Sequence, residues 1–356
     1  MAKKQDTSNQ PVRLVDIAAK AGVSRTTVAS VILQSAGSNV RVSKETAERI
    51  LKVATELGYR PNAMAQRLAG KQSKIIGTII DTYAPAPSYR QLSEMERFAD
   101  ENGYRVMIGQ SHGELDKIKA YASDFMANRI DGVLCISHDY PEIGKKIAKT
   151  FLQFPNVVFL GKPQIQQSTA SWVCLDHRVA TQHLVEHLIN TGRKRIALCI
   201  GHGNHRSTQD RRKGYKDALK ANNIKYDTNL DLAWAEQVHD DQGKLDSDKL
   251  SRHLSAMIED HAIDAIVSNN DTYAVHIIRV LTQLGYIVPK DIAVTGYDNL
   301  PLTDIISPSI TTVDLCEREL TRTAMQMLIA KINDQPLPES LNHQLITPRI
   351  IVRDSA

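Results

Sequence analysis

The sequence predicts an all-α helix-turn-helix head followed by an α/β body of two subdomains, each built on a parallel sheet. Three observations predict it. Residues 1–74 carry 13 Lys or Arg against 5 Asp or Glu, leaving 31 of the 44 basic and 35 of the 40 acidic residues for the rest of the 356-residue chain. In that basic head, apolar residues recur at helical spacing. From Lys74 onward, short apolar runs alternate with amphipathic helical stretches, and the alternation restarts once near residue 175. Such alternation means parallel sheets covered on both faces.

The length suits two or three domains, and 42% hydrophobic with 24% charged residues is an ordinary globular composition. No apolar run approaches the roughly 20 residues of a membrane span. The start, "MAKKQDTSNQPVR", has no apolar segment behind its charges, so a secretory signal is not expected and a cytoplasmic location is. Cys135, Cys174, Cys199 and Cys316 lie far apart inside apolar stretches. That pattern predicts reduced, buried thiols rather than a disulfide or zinc framework. A basic head on a mildly acidic body points to a polyanionic partner, although charge alone leaves a merely solubilising tail equally open.

The head is patterned in order. "LVDIAAKAG" puts Leu14, Ile17, Ala18 and Ala21 on one helical face, with Gly22 as the left-handed terminator. Ser24 stands where an N-cap belongs, and Val28, Val31 and Ile32 follow at helical spacing. Ser43 caps a third helix whose expected stripe is Ala47, Ile50, Leu51, Ala54 and Leu57, ended by Gly58. Gly22-Val23-Ser24 between two short helices, with small Ala18 facing Val28, is helix-turn-helix spacing, in which the second helix enters the major groove. A generic three-helix bundle shares that spacing by chance in a minority of cases. Arg25, Thr26, Thr27 and Ser30 fall on the outward face of the second helix. Arginine offers a fork for guanine, and hydroxyls reach bases or phosphates. After Pro61, residues 63–69 have length for about two helical turns, too few to be stable alone in water.

These segments, "LVDIAAKAGVSRTTVASVI", "ELGYRPN" and "AQRLAGKQS", resemble the lactose/purine repressor (LacI/GalR-type) family of transcriptional regulators. The resemblance implies a homodimer on pseudo-palindromic double-stranded operator DNA. It places Arg25, Thr26 and Ser30 at base-reading positions, and Ser24, Thr27, Ser43, Thr46 and Asn62 at phosphate-side positions. It makes 61–73 a hinge helix and linker, with Leu68 wedging into the minor groove beside Ala65. Two departures put the operator sequence beyond inference. Most members carry Arg where this chain has Ser30 and commonly Asn where it has Leu33, and the link "LQSAGSNVRVS" is about four residues longer than is usual in the family.

In the body, "KIIGTII", "YRVMIG", "DGVLCI" and "NVVFLG" read as strands, with helices around 90–102, 115–128 and 141–152. "RIALCI", "IDAIVSN" and "DIAVTGYD" continue after the restart. Two such runs predict a cleft between subdomains where strand ends gather polar side chains. "HLVEHLINTGRKRIALCIG", "RRKGYKDAL", "IVSNNDTYAVHIIRVLTQLGYIVPKDIAVTGYDNL" and "SPSITTVD" resemble the same family's sensor in order. The resemblance implies two Rossmann-like subdomains of the periplasmic-binding-protein-like type I kind. It divides the chain into a head over 1–60, the hinge over 61–73 and a sensing and dimerising body over 74–356. Within that body one subdomain spans about 74–174 and 315–343, and the other about 175–314 and 344–356.

By the same resemblance Arg211, Asn270 and Asp298 are effector contacts. Their chemistry suits a polyhydroxylated small molecule, a sugar or sugar derivative: the carboxylate accepts from paired hydroxyls, the guanidinium donates a fork and the amide does both. Trp234 is either a platform for a sugar face or a core residue. Leu315 and Gly161 stand where some members use a polar contact and an Asp, so the pocket differs from the lactose-type sensor.

Other chemistries fit less well. "HLVEH", 183–187, has H-x-x-E-H spacing but lacks a third ligand. "GHGNH", 201–205, begins like a dinucleotide fingerprint, but Arg206 takes its last position. A transported-solute receptor would need export and would lack the head, and a sugar-processing enzyme would need a catalytic pair. The expectation is therefore a ligand-responsive, non-enzymatic repressor of carbohydrate-utilisation genes without metal, cofactor or membrane anchor.

Overall fold

The computed structural model describes residues 12–33, 41–59, 72–82, 84–136, 139–165, 170–201, 205–233, 237–240, 244–338 and 341–356. Asn62, Ala65, Leu68, Trp234 and most of the long link after Leu33 lie outside the described residues. The chain forms two compact units, residues 1–74 with 129–131, and the remainder.

The first unit holds α1 (Leu14–Ala21), α2 (Arg25–Leu33) and α3 (Lys44–Glu56). Gly22, at φ 68°, ends α1 in left-handed backbone, and its N–H and that of Val23 return to the carbonyl of Ala18; a side chain here would be strained. The amide of Thr27 donates to Ser24 Oγ at 3.1 Å, capping α2, and that of Thr46 donates to Ser43 Oγ at 3.3 Å, capping α3. Ile17, Ala18, Ala21, Val28, Ile50, Val53 and Ala54 form the buried core, with Leu14, Val31, Ile32 and Leu57 packed at its edge. One expected core residue is corrected: Leu51 is 51% exposed and Val53 takes its place. Ile50, Val53, Ala54 and Leu57 follow the i, i+3, i+4, i+7 stripe, and Leu51 falls outside it.

The second unit contains two lobes. Lobe one is a six-stranded parallel sheet in the order β11-β5-β4-β3-β1-β2. Its strands are β1 (Ile75–Ile80), β2 (Arg105–Gln110), β3 (Gly132–Cys135), β4 (Val157–Leu160), β5 (Ser171–Leu175) and β11 (His343–Ile346). Helices α4 (Ala86–Glu101) and α11 (Glu317–Ile332) cover one face through Met95, Phe98, Leu320, Ala324 and Leu328. Helices α5 (Leu115–Ala127) and α6 (Gly144–Phe151) pack together elsewhere on the lobe, and α5 also meets β1 and β2.

Lobe two has a parallel sheet in the order β7-β6-β8-β9, from β6 (Ile196–Ile200), β7 (Asp231–Ala233), β8 (Ala265–Ser268) and β9 (Ala293–Thr295). Along β6 the side chains alternate. Ile196, Leu198 and Ile200 meet α7 (His177–Asn190) and α8 (Arg206–Ala221), while Ala197 and Cys199 meet α9 (Ser247–His261) and α10 (Asp271–Gln283). A strand covered on both faces therefore reads as one unbroken apolar run. An antiparallel pair, β10 (Thr312–Asp314) and β12 (Arg349–Ile351), completes the lobe. The chain thus passes between lobes after β5, after β10 and after β11.

The thiols need one correction. Cys135 and Cys199 are buried, but Cys174 and Cys316 are half-buried; all four are free.

Candidate effector cavity and DNA-reading helix

A cavity of about 530 Å³ opens between the strand ends of the two lobes. Arg211, on α8, is only 8% exposed and lines it. Its Nη1 donates to the carbonyl of Asn269 at 2.8 Å and its Nη2 to that of Ser268 at 2.9 Å. The guanidinium lies 4.0 Å from the centroid of the Tyr297 ring, a cation–π contact. Among the described residues its buried Nε has no partner. Burial lowers the Arg211 pKa.

Asp298 follows β9 and is also 8% exposed. Burial, reinforced by the like charge of Asp271, pushes its carboxyl up to about 7, against the pull of Arg211 and Arg90. Asp271 is itself pushed up to about 6 by burial. Its Oδ1 accepts from Thr312 Oγ1 at 2.5 Å and its Oδ2 from the Leu300 amide at 2.7 Å, which fixes the loop carrying Asp298. Gly296 makes room for it, since a Cβ there would lie 2.1 Å from Asp271 Oδ1. Asn270 reaches the cavity as the N-cap of α10. Its Oδ1 accepts from the Tyr273 amide at 3.1 Å, so the amide nitrogen is the end left to offer a ligand.

The structure therefore brings Arg211, Asn270 and Asp298 to one wall. Leu315 and Gly161, singled out as departures, line the same cavity. Four contributors were missed. Tyr297 donates from its hydroxyl to His177 Nδ1, or accepts from it, at 2.9 Å, and burial, with the charge of Arg211, lowers the His177 pKa to about 4. Tyr297 lies beside Asp298 in a quoted segment, yet nothing in the sequence marks it as the support of Arg211. Between the lobes, in the cavity lining, His205 Nδ1 meets the carbonyl of Asp139 at 2.5 Å, and the amide of Arg206 donates to Asp139 Oδ1 at 3.4 Å. His205 is the last residue of "GHGNH", a stretch whose spacing points to nucleotide binding and not to a contact across the lobes. Lobe one lines the cavity with apolar Ile136, Leu160, Val173 and Leu320 beside polar Ser88, Gln91, Asp139 and Lys162, while Leu315 packs with Tyr297.

Two side chains of "HLVEH" have partners within the fold. Glu186 accepts from Gln182 at 2.8 Å, and His187 Nε2 meets the carbonyl of Ala356 at 3.2 Å. Among the described residues no three His, Cys, Asp or Glu side chains are grouped to hold a metal ion, and no helix is long and apolar enough to cross a membrane.

In the head, Arg25 and Thr26 are exposed at the start of α2. Thr27 Oγ1 and Ser24 Oγ share a hydrogen bond at 2.8 Å, and Ser30 Oγ donates to the Thr27 carbonyl at 3.0 Å. Ser24 and Ser43 sit at helix N-termini, where backbone N–H groups favour anions.

Residues 13–62 match the model for bacterial regulatory proteins of the lacI family, and residues 185–356 match a periplasmic binding protein-like domain. Over 341 residues the chain is 27% identical to the HTH-type transcriptional repressor PurR of Vibrio vulnificus (strain CMCP6), covering 96% of this chain and 97% of that protein. The counterpart from Vibrio campbellii is 28% identical, with the same coverage. Among solved structures, the Lac repressor dimer bound to operator and the anti-inducer ONPF aligns with a TM-score of 0.79 at 25% identity, over 97% of this chain and 99% of that one. The CelR–cellobiose complex aligns with a TM-score of 0.67 at 23% identity, over 97% and 100%.

Proposed function

The chain belongs to the lacI family of bacterial regulatory proteins, as a ligand-responsive DNA-binding regulator and not an enzyme, and from that premise we propose what it reads and what it senses. Helix α2 is the recognition helix. Arg25, Thr26 and Ser30 address base edges, while Ser24, Thr27, Ser43 and Thr46 hold phosphates. The exposure of Arg25 and Thr26 and the two serine N-caps support this assignment. The protein acts in the cytoplasm as a homodimeric repressor on a pseudo-palindromic operator.

The effector is a carbohydrate that alters operator affinity from the cavity. One observation carries this reading: buried Arg211 and Asp298 line the same cavity as the apolar side chains of Leu160, Leu315 and Leu320. A sugar ring has matching sides, with hydroxyl pairs on its edge and C–H groups on its face. The hydroxyls meet the carboxylate, the guanidinium and the Asn270 amide, and the C–H face meets Leu160, Leu315 and Leu320. The test is thermal unfolding of the full-length protein against mono- and disaccharides, with purine bases alongside. A ligand at 100 times its Kd adds about 2.7 kcal/mol. Stabilisation by a sugar supports the reading, and stabilisation by purines with no sugar active overturns it. The stabilising sugar must also change operator affinity, and operator must change sugar affinity by the same factor.

A further inference from the structure

The turn that carries Asp298 holds two consecutive non-glycine residues at positive φ, 107° at Asp298 and 48° at Asn299. Such consecutive positive values at non-glycine residues persist only where surroundings over-determine them. Lobe two supplies several ties. The Asp298 amide donates to the Val313 carbonyl at 3.0 Å. Asn299 Nδ2 donates to Asp314 at 3.2 Å, and its Oδ1 accepts from Arg353 at 2.9 Å.

A further tie comes from lobe one. Arg90, on α4, donates from Nη1 to the carbonyl of Asn299 at 3.1 Å. Its Nη2 donates to the carbonyl of Asp298 and to the carboxylate of Glu317, the first residue of α11. One guanidinium therefore joins α4, α11 and the strained turn, a task for a planar fork that a single ammonium cannot copy. The contacts at Asp139 also join the lobes but leave the main chain of Asp298 untouched.

We propose that Arg90 is a positioning residue of the sensing site: it locks the Asp298–Asn299 turn onto the first-lobe helices α4 and α11. The placement of the Asp298 carboxylate and the arrangement of the lobes then become a single variable. A ligand that draws on the Asp298 side chain acts on a residue whose main chain is already held by lobe one. This rests on the cavity being the effector site, as proposed above.

The test compares full-length wild type, Arg90→Gln, Arg90→Lys and, as control, Arg97→Gln, whose arginine pairs with Glu94 along the same helix. Hydrogen exchange of residues 297–304 should accelerate about tenfold in Arg90→Gln, the scale of a modest coupling between sites, while β6 and β8 stay protected. Labelling of the half-buried Cys174 thiol in the cavity wall should accelerate with it. Arg90→Lys should restore less than half of the protection, and Arg97→Gln should match wild type. Unchanged exchange at 297–304 in Arg90→Gln overturns the proposal, as does an equal rise in β6 and β8 or full rescue by lysine. Should Arg90→Gln not fold, Arg90→Lys carries the same two readouts. No ligand is added in any arm. A cavity that binds no small molecule would therefore defeat the proposed function without altering this result.

Discussion

The head and the cavity treat polar side chains in opposite ways. On α2, Arg25 and Thr26 stand in solvent, where water stabilises them. In the cavity, Arg211 and Asp298 are largely buried and shifted in pKa by that burial. Unpaired polar groups at such depth are costly, so each is propped: Arg211 by two carbonyls and the Tyr297 ring, Asp298 by the loop that Asp271 holds. A surface that meets a polyanion needs little support because charge attraction tolerates small displacements. A pocket that reads hydroxyl pairs needs its groups fixed beforehand.

The sharpest way to separate the two regions is to unfold one of them. Ile50 is fully buried in the head's small core. Ile50→Ala should cost about 2–5 kcal/mol, a large share of what so small a domain possesses. Operator binding should vanish while a stabilising sugar still raises the body's unfolding temperature in calorimetry. Leu51→Ala, one residue on, should barely register.

The next effect belongs to the cavity. Asp298→Asn should remove most of the ligand-induced stabilisation, about 2.7 kcal/mol at 100 times Kd, in the same melts. The pH dependence follows from the shifts. With Asp298 held at about 7 against an ordinary 3.8, the native state keeps a proton that the unfolded chain has released. Its contribution to stability is full below about pH 4 and is lost as pH rises through 7, and Asp271, at about 6, slopes the same way. His177, lowered to about 4, has the opposite slope, costing stability as pH falls from 6.5 through 4. Urea unfolding at pH 5 and pH 8 should show that Asp298→Asn flattens the fall between them. Sugar affinity in wild type should rise as pH passes 7, because the ionised carboxylate is the better acceptor.

A smaller effect tests the head's exposed side chains. Arg25→Ala should cost about 1–3 kcal/mol on operator duplex and relax preference at one base pair per half-site. Fluorescence anisotropy on operator and random duplex separates the outcomes, since equal losses would reduce Arg25 to a phosphate contact. The smallest is Ser43→Ala, about 1 kcal/mol of head stability through loss of the α3 cap, visible in urea as a lower midpoint with unchanged sugar binding.

The central strands were legible because both faces are buried, which turns "RIALCI" and "DGVLCI" into uninterrupted apolar runs. Strands β5, β7, β10, β11 and β12 were not: three of them are three residues long, and β11, with Leu345 exposed and Ile346 buried, lacks such a run. Leu51 and Val53 differ by half a helical turn, finer than composition resolves. Arg211, Asn270 and Asp298 were named from resemblance, but the side chains that support them in the cavity lining were not. His177, Tyr297 and Arg90 come from three distant segments, and only the three-dimensional structure shows that His177 meets Tyr297 and that Arg90 meets the Asp298–Asn299 turn.

The late position of β11 has a consequence for how the protein is made. Lobe one pairs β5, complete at Leu175, with a strand that begins at His343. At the usual pace of translation the missing edge arrives about 10–30 s after its neighbour. The head can fold long before, as its three helices are complete by Glu56. A growing chain therefore owns a DNA-reading module well before it owns a finished sensor. Any product cut short ahead of residue 343 would carry the first without the second, unable to answer its ligand.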